Sequence, residues 1–149
     1  MKSEADVYSI DDLERARRTM WDGVRNYQAR NNMREMEEGD LVLYYHSRQS
    51  PSAVAGVARV VREAYPDPTQ FDAASRYFDE TSEADDPRWW LVDIEFVQRF
   101  DRPVGLPEVK ATKALEEMVL VKNSRLSVQP VTENEFECIL EIARGRSPG

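Results

Sequence analysis

At 149 residues the chain suffices for one domain with a sizeable core, and 41% hydrophobic against 32% charged residues is the balance of a globular protein. No apolar run approaches the roughly 18 residues of a membrane span, and the polar start from Lys2 to Asp6 carries no signal-peptide pattern. One cysteine and one histidine exclude an internal disulfide and the usual zinc sites, and a net charge of −8 argues against a general nucleic-acid binder.

In chain order, Ser9-x-x-Asp12 is a capping-box-like start, and Ile10, Leu13 and Ala16 share one side, which predicts a helix from about Ile10 to Arg17. Thr19 to Asp22 reads as extended. A second helix runs from about Tyr27 to Met36, with Ala29, Met33 and Met36 on an inward stripe. Arg30 and Arg34 lie four apart on another face and repel unless something anionic is near. Gly39-Asp40 is a turn. Leu41 to His46 has the continuous apolar and aromatic pattern of a buried strand, Ser47 to Ser52 is a polar loop, and Val54 to Tyr65 is a strand with a bulge or close approach at Gly56. Residues 66 to 88 hold three prolines and many acids and read as an excursion with little regular structure.

Arg88 to Phe100 is the clearest strand: Trp90, Val92, Ile94 and Phe96 alternate with Leu91, Asp93 and Glu95, one face buried and one wet, until Pro103 stops it. Alternation also sends Trp89 and Trp90, and Tyr44 and Tyr45, to opposite faces, so one of each pair faces solvent or a cavity. Short helical pieces follow near Pro107 to Ala111 and Ala114 to Met118, then a final strand from Arg125 to Val131. Thr132-x-x-Glu135 caps the last helix, with Phe136, Ile139, Leu140 and Ala143 inward, Cys138 off that stripe, Gly145 as C-cap and Arg146 to Gly149 as a frayed tail. Strands in the middle and helices at the ends argue an α+β fold.

Charge is distributed unevenly. Residues 15 to 34 hold six arginines (Arg15, Arg17, Arg18, Arg25, Arg30, Arg34) against Asp22, a net +5, while residues 63 to 95 hold ten acids and two arginines, a net −8. The basic part contains the densest set of recognition groups, Trp21-Asp22-Gly23-Val24-Arg25-Asn26-Tyr27-Gln28-Ala29-Arg30-Asn31. Its aromatic faces, guanidinium forks and amides suit bases and phosphates. Its bland alternative is a helix start, with Asn26 as N-cap and Trp21 as a core plug.

Trp21 to Asn31 resembles the signature of the EVE domain, a small member of the PUA-like superfamily. Lys2-Ser3-Glu4, Gly39-Asp40, Tyr45-His46-Ser47, Tyr65-Pro66-Asp67-Pro68 and Arg125 to Val131 fit the same family in order, so the resemblance covers nearly the whole chain. It implies one EVE domain over residues 1 to 149, a PUA-like small mixed β-barrel flanked by helices. Family members carry a short apolar stretch before the Lys-Ser pair, where only Met1 stands here, which implies a shortened first strand. The family resembles the YTH domain, a reader of methylated adenine in RNA, and its members are thought to read modified cytosines in DNA. The resemblance therefore implies a binding module for a modified base in DNA or RNA.

By that resemblance Lys2, Ser3 and Trp21 help form the site, with Trp21 as a pocket wall and Asn26 as an edge reader. Lys2 and Arg25 are candidate phosphate contacts, as are Arg30 and Arg34 of the basic segment. Asp22 belongs to the site, and Tyr45, His46, Ser47, Ser127 and Gln129 are candidates for its rim. Trp21, followed by the polar Asp22-Gly23, is expected to serve binding more than folding. Nothing in the sequence calls for a metal or cofactor, and the expected protein is a cytoplasmic monomer that touches no membrane. The rivals are a hydrolase of modified nucleosides, with Lys2, Tyr45 and His46 as acid–base groups, and a protein-interaction module built on residues 66 to 88.

Overall fold

The computed structural model describes residues 1–4, 7–47, 51–123 and 125–145. Five strands form one mixed sheet: β1 (Lys2–Glu4), β2 (Arg18–Met20), β3 (Leu41–Ser47), β4 (Ala53–Pro66) and β5 (Trp90–Gly105), in the order β1-β3-β4-β5-β2. β1 runs parallel to β3 and the other pairs are antiparallel. The helices are α1 (Ile10–Ala16), α2 (Tyr27–Arg34), α3 (Leu106–Ala111), α4 (Val119–Lys122) and α5 (Glu133–Ala143). Short 3-10 turns occupy Pro68–Phe71 and Lys113–Leu115. β1 is thus a strand of three residues. The tail Arg146 to Gly149 and part of the Ser47 to Ser52 loop lie outside the described residues.

Helix ends follow the local chemistry. Both capping boxes form, Ser9 with Asp12 and Thr132 with Glu135, each satisfying two backbone N–H groups that a helix start leaves open. The Asn26 side-chain oxygen accepts from the Ala29 N–H at 2.9 Å and starts α2.

Both sheet faces are covered. On one, Ile10 and Leu13 of α1 and Ala29 and Met33 of α2 pack with Tyr44, Ala58, Val92 and Ile94. On the other, Val109, Leu115, Leu120, Ile139 and Ile142 pack with Tyr45, Val57 and Phe100. This corrects the expectation that one of Tyr44 and Tyr45 meets solvent or a cavity: both are buried, one in each core. Leu91, assigned to the wet face of β5, is likewise as buried as Val92. The buried stripe of α5 is Glu135, Cys138, Ile139 and Ile142, one position round from the predicted one, so Cys138 is a core residue.

Three further expectations change. Pro103 does not stop β5, which runs to Gly105. The ladder passes from Gly56↔Arg99 to Val54↔Val104, so Pro103 sits in a bulge where its missing N–H costs no bond. Arg125 to Val131 is not a strand: the segment turns beside β1, taking the Lys2 N–H on the Ser127 carbonyl at 2.9 Å. Its alternating Leu126 and Val128 are buried in the first core without pairing as a strand. The excursion is also less loose than its composition suggests. Gln70 is fully buried, donating to the Asp67 and Trp89 carbonyls and accepting from the Ser82 hydroxyl and the Trp89 N–H.

At Gly56 β4 and β5 approach closely, since a Cβ there would stand 2.3 Å from the Gln98 carbonyl oxygen. Backbone cannot swing aside as a side chain can. Gly56→Ala is expected to destabilise the fold by about 1–3 kcal/mol, the usual cost of overpacking, read as a lower urea midpoint. A midpoint equal to the parent's would mean the strands separate freely there.

Candidate functional site

The chain leaves β2 at Met20 and crosses toward α2 through Trp21 to Asn26. Trp21 is pinned by its N–H to the Val92 carbonyl at 2.9 Å and packs edge-on against Tyr44, centroids 5.4 Å apart at 85°. Tyr44 donates to the Tyr8 carbonyl and is hydrogen-bonded by Ser3. At 9% exposure Trp21 is a core residue along one edge and a cleft wall along the rest. The core-plug alternative is therefore part of the answer, and removing the ring will cost folding as well as any binding.

Gly23 adopts φ +83°, a conformation that L side chains rarely take, and a Cβ there would fall 2.5 Å from the Tyr77 ring. Its N–H donates to the Asp67 carboxylate at 2.9 Å. Asp67 is fully buried and also accepts from Thr69 N–H at 2.8 Å, Thr69 O–H at 2.5 Å and Arg25 at 3.1 Å. Burial pushes the Asp67 carboxyl up, but the bonds from Thr69, Gly23 and Arg25 outweigh it and hold the pKa below the ordinary 3.8. Arg25 bonds the Tyr77 carbonyl at 2.7 Å and the Thr69 hydroxyl at 3.2 Å. The excursion is thereby stapled to the Trp21–Asn26 loop.

Between the two lies a cleft of about 380 Å³ lined by Lys2, Ser3, Val7, Tyr8, Thr19, Met20, Trp21, Asp22, Gly23, Val24, Arg25, Arg76, Tyr77 and Ser127. Burial holds the Lys2 ammonium pKa below its ordinary value. Burial, then the Asp67 charge, raises that of Asp22. The cleft thus presents an aromatic wall, the cationic Arg76 and an acceptor carboxylate, with donors and acceptors between them. Among the described residues no cluster of histidine, cysteine or carboxylates has the arrangement of a metal site.

Six of the sequence-predicted residues meet here: Lys2, Ser3, Trp21, Asp22, Arg25 and Ser127. Arg25 does so with its guanidinium turned inward to Asp67 rather than outward. Five lie elsewhere. Asn26 spends its side-chain oxygen on the α2 cap. Tyr45 is in the second core with the Lys2 ammonium 5.5 Å above its ring. The His46 Nε2 accepts from the Ile10 N–H at 3.1 Å, and burial lowers its pKa, so the neutral ring is part of the α1 start. Ser47 ends β3 opposite Glu4. Gln129 donates to the Asn123 and Leu126 carbonyls and borders a separate cleft of about 620 Å³ beside α2 and α5.

A family model of the EVE domain matches residues 1–142. The chain belongs to the EVE domain family. Human thymocyte nuclear protein 1 is 43% identical over 145 residues, spanning 91% of this chain and 64% of its own length. The structure of human THYN1 protein in complex with 5-methylcytosine containing DNA superposes with a TM-score of 0.93 at 39% identity, covering 99% of this chain and 97% of that one. A hypothetical protein from Leishmania major gives a TM-score of 0.94 at 47% identity, covering 97% and 92%. The EVE fold is PUA-like, so the five-stranded mixed sheet with its helices is a PUA-like fold. The chain spans less than two thirds of the length of the vertebrate relatives. Their name corrects the cytoplasmic expectation: they are nuclear proteins by name, and nothing in this EVE domain places it in the cytoplasm.

Residue-level reading missed Tyr77, Arg76 and Tyr8, which no local pattern singles out, and gave Asp67 no role. Asp67 did carry a signal: with Pro68 and Thr69 it is a 3-10 N-cap, its carboxylate accepting from the Thr69 N–H.

Asp67→Ala removes one partner of a buried ion pair and leaves the Gly23 N–H without its acceptor. A loss of roughly 3–5 kcal/mol is expected in urea unfolding, with faster proteolysis inside residues 68–88. Because its folded pKa is depressed, the Asp67 contribution is present above pH 3.8 and disappears as pH falls through the folded value. Stability of the parent should therefore drop more steeply below pH 3.8 than that of the variant. Parallel curves would remove Asp67 from the acid response.

Proposed function

We propose that this EVE domain is a non-catalytic reader of a modified base in DNA, which it takes into the Trp21 cleft. Residues 1–149 act in this reading as one binding domain. The single observation that carries it is the convergence of Lys2, Ser3, Trp21, Asp22 and Ser127 on one cleft of about 380 Å³, within the range of small-molecule sites. The human relative in complex with 5-methylcytosine containing DNA supports the choice of ligand.

A base reaches such a cleft only when it leaves the stack. Trp21 then supplies the face against which it rests, a contact that is tolerant of base identity. Identity comes from the edge. Asp22, whose carboxyl pKa is raised, is the acceptor for the exocyclic amino group of cytosine. Arg76, on the cleft lining over the Tyr77 ring, offsets the phosphate that follows the base out. The apolar Val7, Tyr8 and Met20 on the same lining give a methyl substituent a dry contact. The enzymatic rival is disfavoured by His46, its acid–base candidate, which lies outside the lining and commits Nε2 to the Ile10 amide.

Titration with an oligonucleotide carrying one 5-methylcytosine, against its unmodified twin, tests the reading. Trp21→Leu keeps an apolar plug and is expected to bind roughly ten- to hundredfold more weakly, with Trp21→Phe in between. Asp22→Asn should lose the preference for cytosine. Parent binding should also weaken as pH falls through the Asp22 pKa, which lies above the ordinary 3.8, and the Asn variant should not follow. Equal affinity of the parent for both oligonucleotides, or cleavage of the base during long incubation, would sink the reading.

A further inference from the structure

We propose that the outer face of α2, together with Arg88 and Trp90 beside it, is a track for the DNA phosphates that flank the base in the cleft. The proposal rests on the base-reading function and extends it to a second surface. Its evidence is the way these arginines are held. Arg30 lies 4.8 Å from the centroid of Tyr27, and Arg34 lies 4.7 Å from that of Trp90. Arg88 donates to the Tyr27 hydroxyl at 3.4 Å, and Arg30 donates to the Arg88 carbonyl at 2.8 Å.

Among the described residues the ion pairs engage Arg15, Arg25, Arg59, Arg99, Arg102 and Arg144, and neither Arg30 nor Arg34 joins one. Here aromatic rings take the carboxylate's place. A ring holds the flat face of a guanidinium and leaves its charge unneutralised. The edge of Arg30 donates only to neutral acceptors, the Asn31 side-chain oxygen at 2.8 and 3.1 Å and the Arg88 carbonyl, which orient the group without cancelling its charge and leave it suited to a phosphate oxygen. Arg30 and Arg34 repel each other on one helix face, and an anion between them removes that cost. Asp79 feels the Arg88 charge but is held by the Trp89 indole N–H at 2.7 Å.

The track also connects to the cleft. Arg76 lies over Tyr77 at 5.1 Å, and both line the cleft. Arg25 lies over Tyr77 at 5.6 Å and over Trp89 at 5.4 Å. Trp89 stacks on Tyr27 with centroids 4.9 Å apart at 23°, and Tyr27 carries Arg30. One ladder of rings and guanidiniums thus runs from the cleft mouth to the solvent face of α2. Arg25 is its fixed rung, bound to Asp67. Arg30 and Arg34 are its rungs without a carboxylate partner, and these two are the ones tested as phosphate contacts.

The test uses the full chain, a single-stranded DNA 12-mer with one central 5-methylcytosine, its unmodified twin, and the trinucleotide around the modified base. Arg30→Gln/Arg34→Gln is expected to bind both 12-mers about tenfold more weakly at moderate salt and to lower the slope of log K against log salt by roughly 1.4. Trinucleotide affinity and melting temperature should match the parent's. Arg30→Lys/Arg34→Lys should restore most of the slope, because the charge returns. An unchanged slope in the Gln variant overturns the track, even if the preference for 5-methylcytosine persists. A lowered slope without that preference keeps the track and sinks the base-reading function. A parent that binds neither 12-mer overturns both.

Discussion

The Asp67 carboxylate is the constraint on which the site depends. It is fully buried and is kept charged by Gly23, Thr69 and Arg25. A buried charge is stable only while its partners stay in place, so the geometry of three chain segments becomes a single condition. The loop after β2 cannot move without exposing the Gly23 N–H. The excursion cannot lift without stripping Thr69 from the carboxylate. Tyr77 can lie over the loop only because position 23 has no Cβ. An acidic, proline-rich segment thereby becomes one wall of a cleft.

The two-faced sheet gives that condition something rigid to act on. β4 and β5 carry a core on each side, with α1 and α2 on one and α3 to α5 on the other. Trp21 borrows its position from this frame, through the Val92 carbonyl and the Tyr44 ring. A reader needs its aromatic wall fixed before the ligand arrives, since ordering a side chain on binding subtracts from affinity. Burial of the inner edge of Trp21 provides that order, so in the proposed reading the residue serves folding and recognition together.

Electrostatics divides the arginines by function. Arg15, Arg59, Arg99, Arg102 and Arg144 sit in exposed pairs with acids, contacts that contribute little each. Arg25 is a structural strut. Arg30 and Arg34 are carried on rings. A net charge of −8 conceals this sorting, because the sum weighs a neutralised guanidinium and an open one alike. The acidic body limits unspecific attraction to DNA, so affinity has to come from a few placed contacts.

Local chemistry was legible in the sequence. The capping residues Ser9, Asn26 and Thr132, the strand patterns of β3 to β5, the close approach at Gly56 and the EVE signature itself depend on residues within a few positions of one another. Lys2, Ser3, Trp21, Asp22, Arg25 and Ser127, singled out through the family pattern although far apart in the chain, line one cleft. Tertiary structure decided what lies across the chain from what. It buried both Tyr44 and Tyr45, turned Arg25 inward, assigned His46 and Asn26 to helix starts and brought Tyr77 to the cleft. The physical reason is that a hydrogen-bond cap is settled by its own neighbours, whereas burial and charge pairing are settled by whichever distant segment packs there, and one-dimensional patterning carries no record of that partner.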